Sequence, residues 1–468
     1  MGWGGLSQPY SYWETWWGGL VTLPVATVHT NIYLSLALII FMCMMTMYTA
    51  HVLGKCWNIL LDRWPKYREH CRKPYPEIAR RALGKKWKSA VSICIDTTQF
   101  GIAVVYLLLS AKNIRDLILI YAKSEISYCY VVLIVAACFL PCTFLKSPQD
   151  FWAAVVVGMF TSAVSAVLIT VGGILDYGTC SAQRTLPPPI ATNYFLAVGT
   201  YMFSYCGHAA FPTIQHDMRR PSDFPKSVIT AFLFTSIMYA PVSFIGYITY
   251  GDSMKNSVIS SLQIDWIQQT VNVLITIHCI LTLTIVLNPL NQEIEDFFKC
   301  PHEFGLKRIS VRTLTMIAVV FVAESVPNFG PLLDLVGGST MTLTGLVCPC
   351  LFYLRLNASN AKNNGNKNVD PEDLTFREVL AKNDPQTRYI CCGIIAIAAF
   401  FGLCTTCSAI YALSGAQFVV PCYLQPFFGA DKAGGVGAVD CCGHYQNITR
   451  SNDITCSAPN FAIYEGLQ

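Results

Sequence analysis

Residues 193–214 read NYFLAVGTYMFSYCGHAAFPTI, an apolar run that contains a glycine, a histidine and a proline within six residues. The run is long enough to cross a bilayer as a helix. Glycine, however, lets the backbone leave helical geometry, and proline removes one backbone hydrogen bond. Backbone groups freed in this way cannot face lipid, so they must line a cavity or contact other helices. The stretch therefore predicts a broken membrane helix with a functional interruption.

Apolar runs of this kind cover most of the chain. The 468 residues are 53% hydrophobic and only 13% charged, with a mean hydropathy of +0.44, whereas soluble domains carry about 25% charged residues. Eleven candidate spans lie near residues 10–29, 32–54, 89–111, 127–145, 151–175, 193–213, 226–250, 267–290, 311–327, 330–354 and 389–413. The composition therefore predicts an all-α polytopic membrane protein with about eleven transmembrane helices.

The distribution of Lys and Arg predicts the orientation. With the N-terminus in the cytosol, the cytoplasmic segments hold 25 of the 32 basic residues and the opposite side holds 7, as the positive-inside rule requires. The largest cytoplasmic loops are then 55–88 and 355–388. The net charge of +4 reflects this topology, and we expect no nucleic-acid partner.

An odd number of spans places the C-terminus outside the cytosol. We therefore divide the chain into a transporter domain at 1–414 and a non-cytosolic tail at 415–468. The tail contains a glycosylation sequon at Asn447 and four cysteines, which suits an oxidising compartment. The membrane itself would be the plasma membrane or that of a vesicle or lysosome-like organelle.

Spans 1 and 6 share one pattern. Gly19 lies five residues before Pro24, and Gly207 lies five residues before Pro212. Matching interruptions in corresponding halves are typical of transporters built from an inverted repeat. The spacing therefore favours two halves of five spans each.

Four motifs, in order and with plausible spacing, resemble the amino acid/auxin permease family. They are FSYCGHAAFPTIQHDM (203–218), GYITYGDSMKNSVISSL (246–262), VLNPLNQEIEDFF (286–298) and LLDLVGGSTMTLTGLVCPCLFYLRL (332–356). They look closest to the eukaryotic branch with the vesicular inhibitory and vacuolar amino acid transporters. The similarity runs from about Gly18 to about Leu413.

The resemblance implies eleven spans, an inverted five-plus-five repeat like that of the bacterial leucine transporter, and amino acid transport coupled to protons or sodium. The first span departs from the family pattern. Its LVTLP end is present, but the preceding MGWGGLSQPYSYWETWW is short and polar. We therefore expect a shortened first helix.

The substrate site should lie at the two interruptions. Because a restarted half-helix presents a positive dipole end, it suits the carboxylate of an amino acid. The candidates are Gly18, Gly19, Ser204, Tyr205, Gly207 and His208. The alternative is a packing kink with a hydrogen-bonded histidine.

Ionisable residues inside spans are candidates for coupling, because a charge in the membrane is costly. Asp96, His208 and His278 are the proton candidates. A polar contact near the cytoplasmic end is the alternative for Asp96, and a structural histidine is the alternative for His278. Thr276 and Thr282 are weak sodium candidates, since membrane threonines usually bond to their own helix. We expect no other metal site.

Taken with the resemblance, these patterns predict a secondary active transporter of amino acids that works by alternating access, with protons favoured over sodium. The chain has no nucleotide-binding or hydrolase motif, so we expect neither an enzyme nor a cofactor. The expected partners are an amino acid, a coupling ion and the bilayer. An amino acid sensor that binds substrate without moving it is the alternative.

Overall fold

The structure is a computed structural model that describes residues 19–69, 71, 73–124, 126–144, 152–181, 186, 190–218, 220–301, 305–326, 329–363, 374–415 and 423–424. Within these residues every regular element is a helix. The α-helices are α1 (Leu23–Thr30), α2 (Ile32–Arg63), α3 (Pro74–Leu83), α4 (Lys85–Ala122), α5 (Tyr128–Thr143), α6 (Trp152–Cys180), α7 (Ala191–Tyr205), α8 (Phe211–Asp217), α9 (Phe224–Tyr250), α10 (Asp265–Phe297), α11 (Leu306–Ser325), α12 (Phe329–Val336), α13 (Cys348–Asn363), α14 (Phe376–Lys382) and α15 (Pro385–Gly415). The predictions on Gly18, on Asn447 and on the four tail cysteines lie outside the described residues.

Among the described residues, seven helical segments are long and apolar enough to cross a membrane: Ile32–Arg63, Lys85–Ala122, Val156–Cys180, Pro221–Tyr250, Asp265–Phe297, Phe329–Lys362 and Pro385–Ser414. Tyr128–Thr143 is a shorter apolar helix. Many of the large side chains on the outer faces are apolar and exposed, such as Tyr33, Phe160 and Ile237. The chain is therefore an all-helical polytopic membrane protein, as its composition predicts.

Several helices continue beyond the predicted span boundaries. α2 ends at Arg63, nine residues beyond the predicted end of its span at residue 54, and α4 begins at Lys85 rather than at residue 89. The predicted loop 55–88 therefore consists partly of helix, because hydrogen bonding along a helix does not stop where the apolar run stops. Gly84 joins α3 to α4 with φ 102°, a value that favours glycine.

Helix α12 leads into two π-helical stretches, Gly337–Met341 and Leu343–Val347, before α13 begins. A Cβ on Gly337 would lie 2.3 Å from the carbonyl oxygen of Gly199 in α7, and one on Gly338 would lie 2.4 Å from Cγ2 of Thr405 in α15. These glycines therefore let three helices approach more closely than any larger side chain would allow.

A buried ion cluster joins α10, α11 and the end of α5. The Arg312 side chain is fully buried, and its Nε donates to Glu295 Oε1 at 2.6 Å. Its Nη1 donates to the carbonyl of Thr143, while Arg308 Nε lies 3.3 Å from the same Glu295 oxygen. One guanidinium thus bonds to groups from two other helices, so the cluster fixes their relative positions.

Candidate functional site

The interruption predicted at residues 203–212 separates α7 from α8. α7 ends at Tyr205, Cys206 is extended, and His208–Ala210 form a short 3₁₀ turn before α8 begins at Phe211. Gly207 has φ −110° and ψ 19°, a conformation that other residues also adopt. The expectation that this backbone position needs glycine for its own geometry was therefore wrong, although the helix does break here.

The segment that leads into α1 lies directly against the end of α7. Gly19 packs so closely on α7 that a Cβ there would lie 1.6 Å from Ser204 Oγ and 3.0 Å from Ser204 Cα. The turn after it is held by a hydrogen bond from the Thr22 amide to the Gly19 carbonyl at 3.0 Å. The Val258 amide donates to the Val21 carbonyl at 2.9 Å. The freed backbone is thus packed inside the protein, away from lipid.

The side chains of Ser204 and Tyr205 bond within the helix bundle. Ser204 Oγ donates to the carbonyl of Thr200 at 2.7 Å. Tyr205 Oη lies 2.9 Å from Ser236 Oγ in α9. Both residues are buried beside the interruption, so their position permits a role in substrate binding without requiring one.

His208 faces α2. Its Nε2 lies 2.9 Å from Thr49 Oγ1 and 3.1 Å from the carbonyl of Thr46. Its Nδ1 is buried and has no hydrogen-bond partner among the described residues. A Cβ on Gly345 would lie 3.3 Å from that Nδ1. The imidazole therefore bonds to α2 through Nε2. Its Nδ1 remains available for another hydrogen bond inside the helix bundle.

A cavity of about 100 Å³ lies below the interruption, between α3, α4, α8 and α10. It is lined by Lys73, Pro74, Tyr75, Pro76, Ser92, Ile95, Asp96, Gln99, Ala209, Thr213, Pro289, Gln292 and Glu293. The cavity reaches the 3₁₀ turn at Ala209, so it connects the interruption to the end of α10. Its wall combines apolar groups with carboxylates, amides and one ammonium.

Asp96 and Gln99 lie one helical turn apart on the wall of this cavity. Gln99 Oε1 is buried and has no hydrogen-bond partner in the described part of the chain. At the mouth, Lys73 forms an ion pair with Glu293, which also accepts a hydrogen bond from Ser92. The cavity wall therefore includes the unpaired acceptor Gln99 Oε1. It also includes the Lys73–Glu293 ion pair, which joins α3 to α10.

The other coupling candidates lie away from this cavity. His278 faces α6, where its Nδ1 lies 2.9 Å from Ser162 Oγ. Thr276 donates to the carbonyl of Asn272 at 2.7 Å, and Thr282 donates to the carbonyl of His278 at 2.9 Å. The contacts of His278 agree with the alternative of a structural histidine. The two threonines bond to their own helix, as membrane threonines usually do.

Sequence reasoning missed another carboxylate inside the helix bundle. Asp334 in α12 is 7% exposed, and its Oδ1 accepts a hydrogen bond from Thr200 Oγ1 of α7 at 2.6 Å. An acidic residue inside the apolar run FGPLLDLV was the available signal. Lys73 and Glu293 were also missed, because nothing in their local sequence indicates that they meet.

The profile of a family described as "Transmembrane amino acid transporter protein" matches residues 17–376. The chain is also similar to amino acid transporters of Arabidopsis thaliana. It is 26% identical to AVT1C over an alignment of 368 residues, with 75% of this chain and 60% of AVT1C covered. It is 24% identical to AVT1D over an alignment of 348 residues, with 72% of this chain and 61% of AVT1D covered. The matched region thus spans about three fifths of the length of these two relatives.

Proposed function

The chain belongs to the family of transmembrane amino acid transporter proteins, and we propose that it carries amino acids across a membrane by alternating access, driven by a proton gradient. One observation supports this function best. The segment at Gly19, just before α1, meets Ser204, just before the break between α7 and α8, and a cavity with polar and apolar walls reaches that break at Ala209. Such paired interruptions place backbone groups and helix ends where a zwitterion would bind.

The substrate site that we propose contains Gly19, Ser204, Tyr205, Gly207 and His208, with Gly18 next to it in the chain. The close contact of Gly19 with Ser204 supports the pairing of the two segments. The buried Nδ1 of His208 adds a polar atom without a partner in the described residues.

Protons are the coupling ion that the geometry favours over sodium. Asp96 and Glu293 face the same cavity. Asp96 can therefore hold a proton while Glu293 keeps its ion pair with Lys73. The hydroxyls of Thr276 and Thr282 already bond to their own helix, which weakens the case for a sodium site there.

We further propose that the transporter domain at 1–414 has eleven spans in an inverted five-plus-five repeat. The order of helices supports this arrangement, because α1 opens the first half and the broken pair α7 and α8 opens the second. α1, which follows Gly19, is eight residues long; the segment that we expect to be shortened precedes it and lies outside the described residues.

The orientation that we propose has a cytosolic N-terminus and a C-terminal tail, 415–468, outside the cytosol. Cys129, at the start of α5, forms a disulfide, and disulfides persist in oxidising compartments. We expect Asn447→Gln to abolish a mobility shift that glycosidase treatment removes from the wild type. A C-terminal tag that cytosolic protease cleaves in intact cells would contradict this orientation.

Uptake by reconstituted vesicles tests the function. We expect vesicles with an imposed pH gradient to accumulate at least one member of a panel of radiolabelled L-amino acids, and empty vesicles to accumulate none. Binding of a labelled amino acid without flux would instead select the sensor alternative. Accumulation that requires sodium at constant pH would overturn proton coupling.

The same assay tests the paired interruptions. Gly19→Ala forces a Cβ against Ser204, and overpacking costs about 1–3 kcal/mol, which is roughly a 5- to 150-fold loss of uptake if the transporting state bears the strain. Ser204→Gly in the same chain removes the obstructing side chain and should bring the thermal unfolding midpoint back toward that of the wild type. Gly393→Ala is the control, since a Cβ there meets no atom within 4 Å. Equal uptake by Gly19→Ala and Gly393→Ala would exclude the contact from the mechanism.

A further inference from the structure

The connector between α2 and α4 holds several cations around one carboxylate. Glu77 Oε1 lies 2.5 Å from Lys88 Nζ, while its Oε2 lies 3.5 Å from Arg80 Nη1 and 4.0 Å from Lys66 Nζ. Burial acts to raise the pKa of Glu77, but hydrogen bonds from Lys88 and Tyr67 outweigh it and lower that pKa. One ionised carboxylate thus faces three cations, which leaves an excess of positive charge.

Aromatic rings contact further cations of this connector. The guanidinium carbons of Arg63 and Arg81 lie 4.6 and 4.4 Å from the ring centre of Trp64. Lys66 Nζ lies 4.6 Å from the ring centre of Tyr67. Burial, followed by repulsion from Arg81, lowers the pKa of Lys66 although Glu77 opposes that change.

The beginning of α4 extends this surface to the bilayer. Lys85 and Lys86 are exposed, and Trp87 is 50% exposed at the start of a membrane-spanning helix. Tryptophan in such a position marks the boundary between headgroups and hydrocarbon. We define the basic platform as Lys66, Arg68, Arg80, Lys85, Lys86 and Lys88.

We propose that the basic platform binds the multiply phosphorylated headgroup of a membrane phosphoinositide. A single phosphate would have to compete with Glu77 for the same cations, whereas a headgroup with several phosphates contacts many of them at once. Arginine side chains suit phosphate because their planar groups donate two parallel hydrogen bonds. The exposed Trp87 beside the lysines indicates a ligand in the membrane rather than a soluble polyanion. The inference does not depend on the transport function.

Titration of the purified full-length chain in detergent with a short-chain phosphatidylinositol bisphosphate tests this site. The test variant is Arg68→Gln/Lys85→Gln/Lys86→Gln, which leaves the ion pairs of Glu77 intact. The control removes the same number of exposed cations from other predicted cytoplasmic segments, as Lys307→Gln/Arg377→Gln/Lys382→Gln. We expect the test variant to bind at least tenfold more weakly, and the control to bind like the wild type. Equal weakening in both variants would show a general charge effect and overturn the site.

Two further binding measurements distinguish a membrane lipid from a soluble polyanion as the ligand. Phosphatidylserine, with one net negative charge, should bind the wild type much more weakly than the bisphosphate lipid. Trp87→Ser should weaken the binding of the bisphosphate lipid but leave the binding of soluble inositol hexakisphosphate unchanged. If the soluble compound binds as tightly as the lipid and Trp87→Ser has no effect on either, the assignment to a membrane lipid is wrong.

Discussion

Asp96→Asn should abolish the accumulation of amino acids that a pH gradient drives, while exchange of amino acid at equal pH continues. A gradient of one pH unit supplies about 1.4 kcal/mol per proton, which supports about tenfold accumulation for each coupled proton. Asparagine has a similar shape but carries no proton through the cycle. Because Asp96 faces the cavity beside the interrupted helix, its neutral form should still allow the substrate to pass.

Asp265→Asn is the matched control for this prediction, since Asp265 is exposed at the beginning of α10. Its pH-driven uptake should equal that of the wild type. Glu293→Gln is a second comparison, because it removes a carboxylate of the same cavity together with its ion pair to Lys73. If Asp96→Asn keeps the full dependence on the pH gradient, Asp96 carries no coupled proton, and Asp334 becomes the next carboxylate to test.

Arg312→Met should cause the largest loss of stability. The change leaves the buried Glu295 with one fewer cation and leaves the carbonyl of Thr143 without its guanidinium donor. Removing one partner of a buried ion pair typically costs about 3–5 kcal/mol. We therefore expect a much lower midpoint of thermal unfolding for the detergent-solubilised variant, measured by loss of the monodisperse protein.

The double variant Arg312→Met/Glu295→Gln should recover part of that loss, because it removes the uncompensated charge as well. Lys307→Met is the control, as Lys307 is exposed on the same helix. An unfolding midpoint of Arg312→Met that matches Lys307→Met would mean that the cluster contributes little to stability. A double variant no better than the single one would assign the cost to the lost hydrogen bonds.

The sequence predicted the helix break correctly but gave the wrong reason for one residue. Gly207 and Pro212 indicated where the helix would be interrupted, and α7 does end at Tyr205. The negative φ of Gly207 shows that the position does not need glycine for backbone reasons. Gly19 is the glycine whose lack of a side chain matters, because Ser204 occupies the space that a Cβ would need.

The sequence by itself determined the membrane class, the approximate helices and the break after Tyr205, because apolar length and the effects of glycine and proline are local properties of the chain. Only the tertiary structure decided that Asp96 shares a cavity with Glu293, that His208 bonds to α2 and that Asp334 meets Thr200. Each of these contacts joins residues far apart in the chain. Their meeting depends on how whole helices pack, which no local pattern encodes.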